Sequence, residues 1–259
     1  MKAALHVHGL QTPLVWESPD ANLAAFEAQF ALAPADADVF VLPEMWSTGF
    51  TMQPEHHAEP AEAGPAFAAM QRWAAETGAL VCGSLSVREG AHFRNRHYAV
   101  EPSGRFRFYD KRHAFTFAGE HAHYTPGTER VVVEWQGWRL LLLTCYDLRF
   151  PVFARNRRAA PYDGVVVVAN WPAVRSEAWA TLLRARAIEN QAHCIGVNRL
   201  GADGNGVHHD GRSACIDPYG RGQEVLEIGW FGSRWEAAAL TEFRAKFPVL
   251  LDADDFTWS

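Results

Sequence analysis

The chain has little cysteine: only Cys82, Cys145, Cys194 and Cys215, with no pair at CxxC spacing. That scarcity points to free thiols in a reducing cytoplasm rather than to a disulfide framework. The opening MKAALHVHGLQTPLVWE has no unbroken apolar stretch of the kind a signal peptide needs. Nor does any window approach the length that spans a bilayer. An excess of basic charge is also missing. The net charge is −6, which argues against broad binding to nucleic acid or to an anionic membrane. Charged residues make up 21% and are spread along the chain, so disorder is not expected. No internal repeat, low-complexity tract or charged linker marks a boundary, and residues 1–259 read as one domain.

What is present is apolar and alternating. Of 259 residues, 48% are hydrophobic and 12% aromatic, enough for one substantial core. AALHVHG reads as a first strand. Residues 20–32 read as a helix, with an Asp at its start and Leu23, Phe26 and Phe30 at helical spacing. DVFVLPE is an apolar strand with a polar tip, and residues 64–78 are a helix closed by Gly78. ALVCGSLSV, NRHYAVEP and RFRFYDK follow as strands, with hairpin chemistry at EPSGRF. RVVVEWQGWRLLLLTC is a hairpin turning at Gln136–Gly137, and a short helix is expected near 151–158. After the strand YDGVVVVANWP comes a helix from Ser176, its expected cap, and then the strand HCIGVNRLG. A glycine-rich loop at 201–206 leads to RSACIDPYG and GQEVLEIG, which finish the sheet. Continuous apolar strands imply sheets covered on both faces, and the hairpins imply mixed pairing. The expectation is a layered α/β sandwich with helices outside.

Three reactive side chains share one placement. Glu44 follows VFVLP, Lys111 follows RFRFYD and Cys145 follows LLLLT. Strand ends are rigid, and groups placed there can converge at a sheet edge. Each alone is the ordinary emergence of a strand into solvent. Together they form the inventory for acyl transfer. The thiol is a nucleophile once a base takes its proton, and Glu44 can be that base. Lys111 can face the oxyanion of a tetrahedral adduct, joined by the backbone N–H of Tyr146. Cys82 and Cys194 read instead as buried small hydrophobes, and Cys215 likewise. The cluster Arg155, Arg157, Arg158 reads as a solvated helix end.

LPEMWSTGF around Glu44, YDKRHAF around Lys111 and CYDLRFP around Cys145 together resemble the nitrilase superfamily of carbon–nitrogen hydrolases. The likeness runs from TPLVWE through ANWP and ARAIENQ to the DADDF tail. YDKRHAF, ANWPAVRSEAW and NRLGADGNG are most similar to the bacterial omega-amidase branch, whose members hydrolyse the terminal amide of 2-oxoglutaramate and 2-oxosuccinamate. The resemblance implies a four-layer α-β-β-α sandwich of two mixed sheets, a homodimer packed through outer helices, a Glu–Lys–Cys triad at Glu44, Lys111 and Cys145, and a second glutamate at Glu120. It implies a thioester route with neither metal nor organic cofactor.

Selection among amides must come from outside the triad. A short oxo acid carries a carboxylate that calls for a cation. Arg175, three residues past Pro172, is the leading clamp, and a surface arginine opening a helix is the competing reading. Phe117 and Trp171 can wall the pocket or belong to the core. Arg149 reads as structural. Twelve histidines, among them His121, His123, His208 and His209, show no zinc spacing, and GADGNG lacks a phosphate-loop pattern. The alternatives are another superfamily hydrolase (nitrilase, carbamoylase or aliphatic amidase) or, more remotely, a non-catalytic binding protein on the same fold.

Overall fold

The structure, a computed structural model, describes residues 1–254 and 256. Asp255 of the DADDF tail thus lies outside the described residues. Two mixed sheets stack face to face. The first runs in the order Gly229–Glu236, Ala4–Gln11, Val39–Val41, Leu80–Glu89, His92–Val100, Phe106–Asp110, with Glu59–Pro60 added beside Leu80–Glu89. The second runs Glu224–Val225, Ser213–Ile216, His193–Asn198, Gly164–Ala169, Trp138–Thr144, Val132–Trp135. Successive side chains of a strand point to opposite faces, and that alternation sorts the core. Val39 and Val41 join Leu140, Leu142 and Val166 between the sheets. Phe40, between them in sequence, packs outward with Phe26, Phe67, Met70 and Trp73. Those four belong to the helices Pro19–Phe30 and Pro65–Thr77. The helix Ser176–Asn190 covers the second sheet through Trp179, Leu183 and Ala187. Its approach is so close that a Cβ on Gly196 would stand 2.6 Å from Leu183. The result is the four-layer α-β-β-α sandwich.

Most expected elements form. The Gln136–Gly137 turn has φ of 50° and 82°, as a tight hairpin requires, and pairs Trp135 with Trp138. Gly78 closes its helix at φ 71°. Four expectations need correction. The helix expected over 151–158 stops at Ala154, because Asn156 is buried and its side chain bonds Tyr162 and Asn190 backbone groups instead of solvent. Arg155 is consequently no solvated helix end; it donates to the Glu189 carbonyl. Ser176 is the first helical residue rather than the cap, and its hydroxyl donates to Asp210 at 2.6 Å. The sheet does not finish at GQEVLEIG. Gly229–Glu236 crosses back to pair antiparallel with the whole of Ala4–Gln11, and the helix Ala237–Lys246 follows. Part of the glycine-rich loop is a small hairpin, Leu200–Ala202 with His208–Asp210. Among the described residues no helix is long and apolar enough to cross a membrane.

Candidate active site

Each of the three strand-end side chains sits where backbone geometry aims it inward. Glu44 lies three residues beyond Val39–Val41, and Met45 after it adopts a left-handed φ of 44°. Cys145 follows Trp138–Thr144 directly, at φ 45°, and opens the 3-10 turn Cys145–Arg149. Left-handed backbone at a non-glycine residue is strained, and such strain persists only where surroundings enforce it. Lys111 follows Phe106–Asp110, its N–H bonded to the Asn95 carbonyl at 2.9 Å.

The side chains of Lys111 and Glu44 meet, and their charges act on the Cys145 sulfur. Lys111 Nζ lies 2.9 Å from Glu44 Oε1 and 2.9 Å from Glu120 Oε2. All three are almost wholly buried, at 3%, 0% and 1% exposure, so these ion pairs are shielded from solvent. Asn95 Nδ2 donates to Glu44 Oε1 at 2.8 Å and to Glu120 Oε1 at 3.2 Å. Asn170 N–H donates to Glu44 Oε2 at 2.8 Å, and its side-chain amide to the Glu44 carbonyl at 2.6 Å. Phe115 N–H donates to Glu120 Oε2 at 2.5 Å. Burial alone would discharge Lys111, but Glu120 and Glu44 outweigh it and hold the ammonium above its ordinary pKa. Burial pushes the Glu120 carboxyl up against the opposing pull of Lys111. The Cys145 thiol is pushed well up, first by burial and then by Glu44, with Lys111 pulling the other way. Raising the thiol in this way favours its protonated form, so a base that takes the proton as the sulfur reacts assists the attack.

Above the cluster is a cavity of about 190 Å³, lined by Cys145, Phe50, Phe115, Phe117, Trp171 and Asn170 among others. Its size suits a small molecule. A larger cavity of about 560 Å³ lies elsewhere, against Phe106–Asp110 and residues 126–131, and none of the site's nucleophile or carboxylate residues lines it. The arrangement at Cys145 supplies a nucleophile, a base, a fixed cation and oriented N–H groups in one apolar-walled space. That is equipment for addition to a carbonyl or nitrile carbon followed by displacement.

The profile of the carbon-nitrogen hydrolases matches residues 7–231. The chain belongs to that family. Among curated relatives of this hydrolase, Omega-amidase YafV of Escherichia coli (strain K12) is 46% identical over 254 residues, 95% of this chain and 96% of the relative. The 2-oxoglutaramate amidase of Bacillus subtilis (strain 168) is 31% identical over 247 residues, 94% and 95% of the two chains. The crystal structure of XC1258 from Xanthomonas campestris, a CN-hydrolase superfamily protein with an arsenic adduct in its active site, superposes with a TM-score of 0.95 at 41% identity. It covers 99% of each chain.

The remaining expected residues of this hydrolase divide unevenly. Tyr146 lines the cavity and packs against Phe115 at a tilt of 57°, ring centres 4.9 Å apart. Its N–H lies in the first turn of a 3-10 helix, where no intrahelical acceptor exists. Trp171 is a cavity wall and a core residue at once, 3% exposed. Phe117 is 80% exposed, so it is a rim residue and not core. Arg175 lines the cavity, its guanidinium 5.1 Å from the Phe117 ring and 5.7 Å from Phe115. Arg149, read from sequence as structural, also lines the cavity, 4.9 Å over Trp171. Neither guanidinium has a carboxylate partner among the described residues. The site has members that sequence reading passed over: Asn95, Asn170 and Asp147. Asn170 and Asp147 are buried polar residues just past an apolar run, and that placement was the one available signal; Asn95, buried between Arg94 and Arg96, carries none. His121 and His123 lie exposed in the one-turn helix Glu120–His123. Cys82 and Cys194 are wholly buried, and Cys215 partly so.

Proposed function

We propose that this protein is an omega-amidase, hydrolysing the terminal amide of short 2-oxo dicarboxylic monoamides such as 2-oxoglutaramate and 2-oxosuccinamate. One observation carries the reading: a small cavity lined by Cys145, whose sulfur feels the charges of the buried Lys111–Glu44 pair, and by the guanidiniums of Arg149 and Arg175, which have no carboxylate partner among the described residues. The names of the similar amidases agree with it.

In the proposed reaction the amide carbon docks against Cys145. Glu44 takes the thiol proton as sulfur attacks, which the elevated thiol pKa favours. Lys111 and the Tyr146 N–H face the tetrahedral oxyanion. Glu44 returns the proton to the departing nitrogen, ammonia leaves, and a thioester remains on Cys145. Water activated by Glu44 cleaves it to the 2-oxo acid. Glu120, like Glu44 2.9 Å from Lys111 Nζ, holds the ammonium and orients the leaving ammonia or incoming water. Arg175 binds the far carboxylate, and Phe117 and Trp171 wall its path. No cofactor enters the scheme. A homodimer through the outer helices is part of the proposal, supported by the exposed apolar Ile188, Tyr219 and Phe247 near the end of Ser176–Asn190. So is a single catalytic domain in the cytoplasm.

The test is ammonia release from 2-oxoglutaramate beside glutamine, simple nitriles and N-carbamoyl amino acids. The oxo-amide should be turned over fastest, with the Cys145→Ala protein silent. Faster release from glutamine or a nitrile would overturn the omega-amidase reading.

A further inference from the structure

Asp147 is fully buried two residues after Cys145, and its carboxylate accepts four hydrogen bonds. Oδ2 takes the Thr144 N–H at 2.9 Å and the Tyr109 hydroxyl at 2.8 Å. Oδ1 takes the His113 N–H at 3.1 Å and faces His113 Nδ1 at 2.7 Å. Thr144 immediately precedes the nucleophile. Tyr109 and His113 stand two residues on either side of Lys111. The Tyr109 oxygen in turn accepts the Arg112 N–H at 2.9 Å. The His113 ring stacks on Phe150, its centre 3.8 Å away and tilted by 7°, and Phe150 is the residue next after the 3-10 turn. One carboxylate thus ties together two segments more than 30 residues apart, |i−j| being 34 and 38. One segment carries the sulfur and the other the ammonium.

We propose that Asp147 is a positioning residue that sets the placement of Lys111 against Cys145, by clamping the 109–113 segment to the turn that holds the nucleophile in its left-handed conformation. The proposal rests on the amide-hydrolysis reading above for its catalytic consequence, though not for its geometry. A carboxylate is suited to the task because it accepts on both oxygens without offering a proton. An amide in its place keeps one accepting oxygen and turns an NH₂ toward two donors. That group leaves a backbone N–H, of Thr144 or of His113, without an acceptor, so the clamp opens on one side.

The experiment is Asp147→Asn, read two ways. Alkylation of Cys145 by iodoacetamide, followed against pH, needs no substrate. The groups facing the sulfur are Glu44, Lys111, Glu120 and the Asn170 N–H, and of the charged ones only Lys111 favours the thiolate. Drawing Lys111 away moves the onset of alkylation to higher pH. Turnover of the oxo-amide gives the second readout: kcat should fall about 100-fold, since a misplacement near 1 Å costs that much, while KM changes little. Tyr109→Phe removes one arm of the clamp and should slow kcat about tenfold at unchanged KM. A folded Asp147→Asn protein with the original alkylation profile and kcat overturns the proposal, even if it melts earlier. Where Asp147→Asn does not fold, an unchanged kcat in Tyr109→Phe overturns it. Lack of turnover by the unsubstituted protein would count against the proposed function alone, because the alkylation profile still judges Asp147.

Discussion

Asn95 spends one amide nitrogen on both carboxylates, Glu44 and Glu120, and its oxygen accepts the Ser84 hydroxyl at 2.9 Å. Ser84 in turn accepts the N–H of Met45, the residue after Glu44, at 2.9 Å. This is a neutral spacer between two like charges that share a single ammonium. Asn95→Asp leaves the shape intact but places a third carboxylate in contact with the other two. Like charges so close cannot all ionise, and one carboxyl retains a proton into the neutral range. The acid limb of the kcat/KM profile should then move to higher pH; a limb in its original position would show that Asn95 is not electrostatically coupled to the base. The two arginines make a separate prediction. Arg175→Met should raise KM for the oxo-amide by about ten- to a hundredfold, the worth of one charge-assisted hydrogen bond, while a neutral aliphatic amide is unaffected. If Arg149→Met gives that result and Arg175→Met does not, the carboxylate is read by the arginine beside Trp171.

At the scale of elements, the contact between Ser176–Asn190 and His193–Asn198 is made at a glycine. A methyl on Gly196 would meet Leu183 at 2.6 Å and Trp179 at 2.8 Å, and both neighbours are fully buried. Gly196→Ala should cost about 1–3 kcal/mol in urea unfolding. An unchanged midpoint would mean that the helix rides away from the sheet freely. The contrast between legible and illegible elements also belongs here. The hairpin at Gln136–Gly137, the Gly78 cap and the strand Gly164–Ala169 announce themselves through local turn chemistry or an unbroken apolar run. Gly229–Glu236 does not: GWFGSRWE carries two glycines, an arginine and a glutamate, and of its eight residues Trp235 alone is buried. It is a strand because Ala4–Gln11 offers a free edge along its full length. No window of sequence contains that fact.

For the molecule as a whole, three histidines are buried, and two of them, His97 and His193, pack against the second sheet and Trp235. His97 faces the second sheet, Nδ1 3.2 Å from the Leu143 carbonyl, and burial lowers its pKa to about 3. His193 stacks on Trp235 with ring centres 4.9 Å apart, and burial, aided by Arg244, lowers its pKa to about 4. Both folded-state values lie below the unfolded value of 6.5, so their contribution to stability is whole above pH 6.5 and is lost as pH falls. Between pH 6.5 and 4 these two residues bind up to two more protons in the unfolded chain than in the native one, a slope of up to about 3 kcal/mol per pH unit from them. Urea midpoints should drop steeply between pH 7 and 5, and His97→Gln should flatten that drop by about half. A flat response would mean that these imidazoles reach solvent in the native state.

The sequence by itself determined the layers, the turns and the three residues of the proposed triad. Period, turn chemistry and a polar residue at a strand's end are properties of a few neighbouring residues, and each is written in a short window. The tertiary structure decided what those residues meet. The Lys111–Glu44 pair spans 67 residues and Asn170 reaches Glu44 across 126. Such contacts exist only once two sheets have stacked in register, because the free energy that closes them comes from apolar surface buried throughout the core and not from the groups that touch. Hence Asn95 gave no sign of its place, Asp147 gave only its position past an apolar run, and Arg149 passed for scaffolding until the walls of the cavity stood around it.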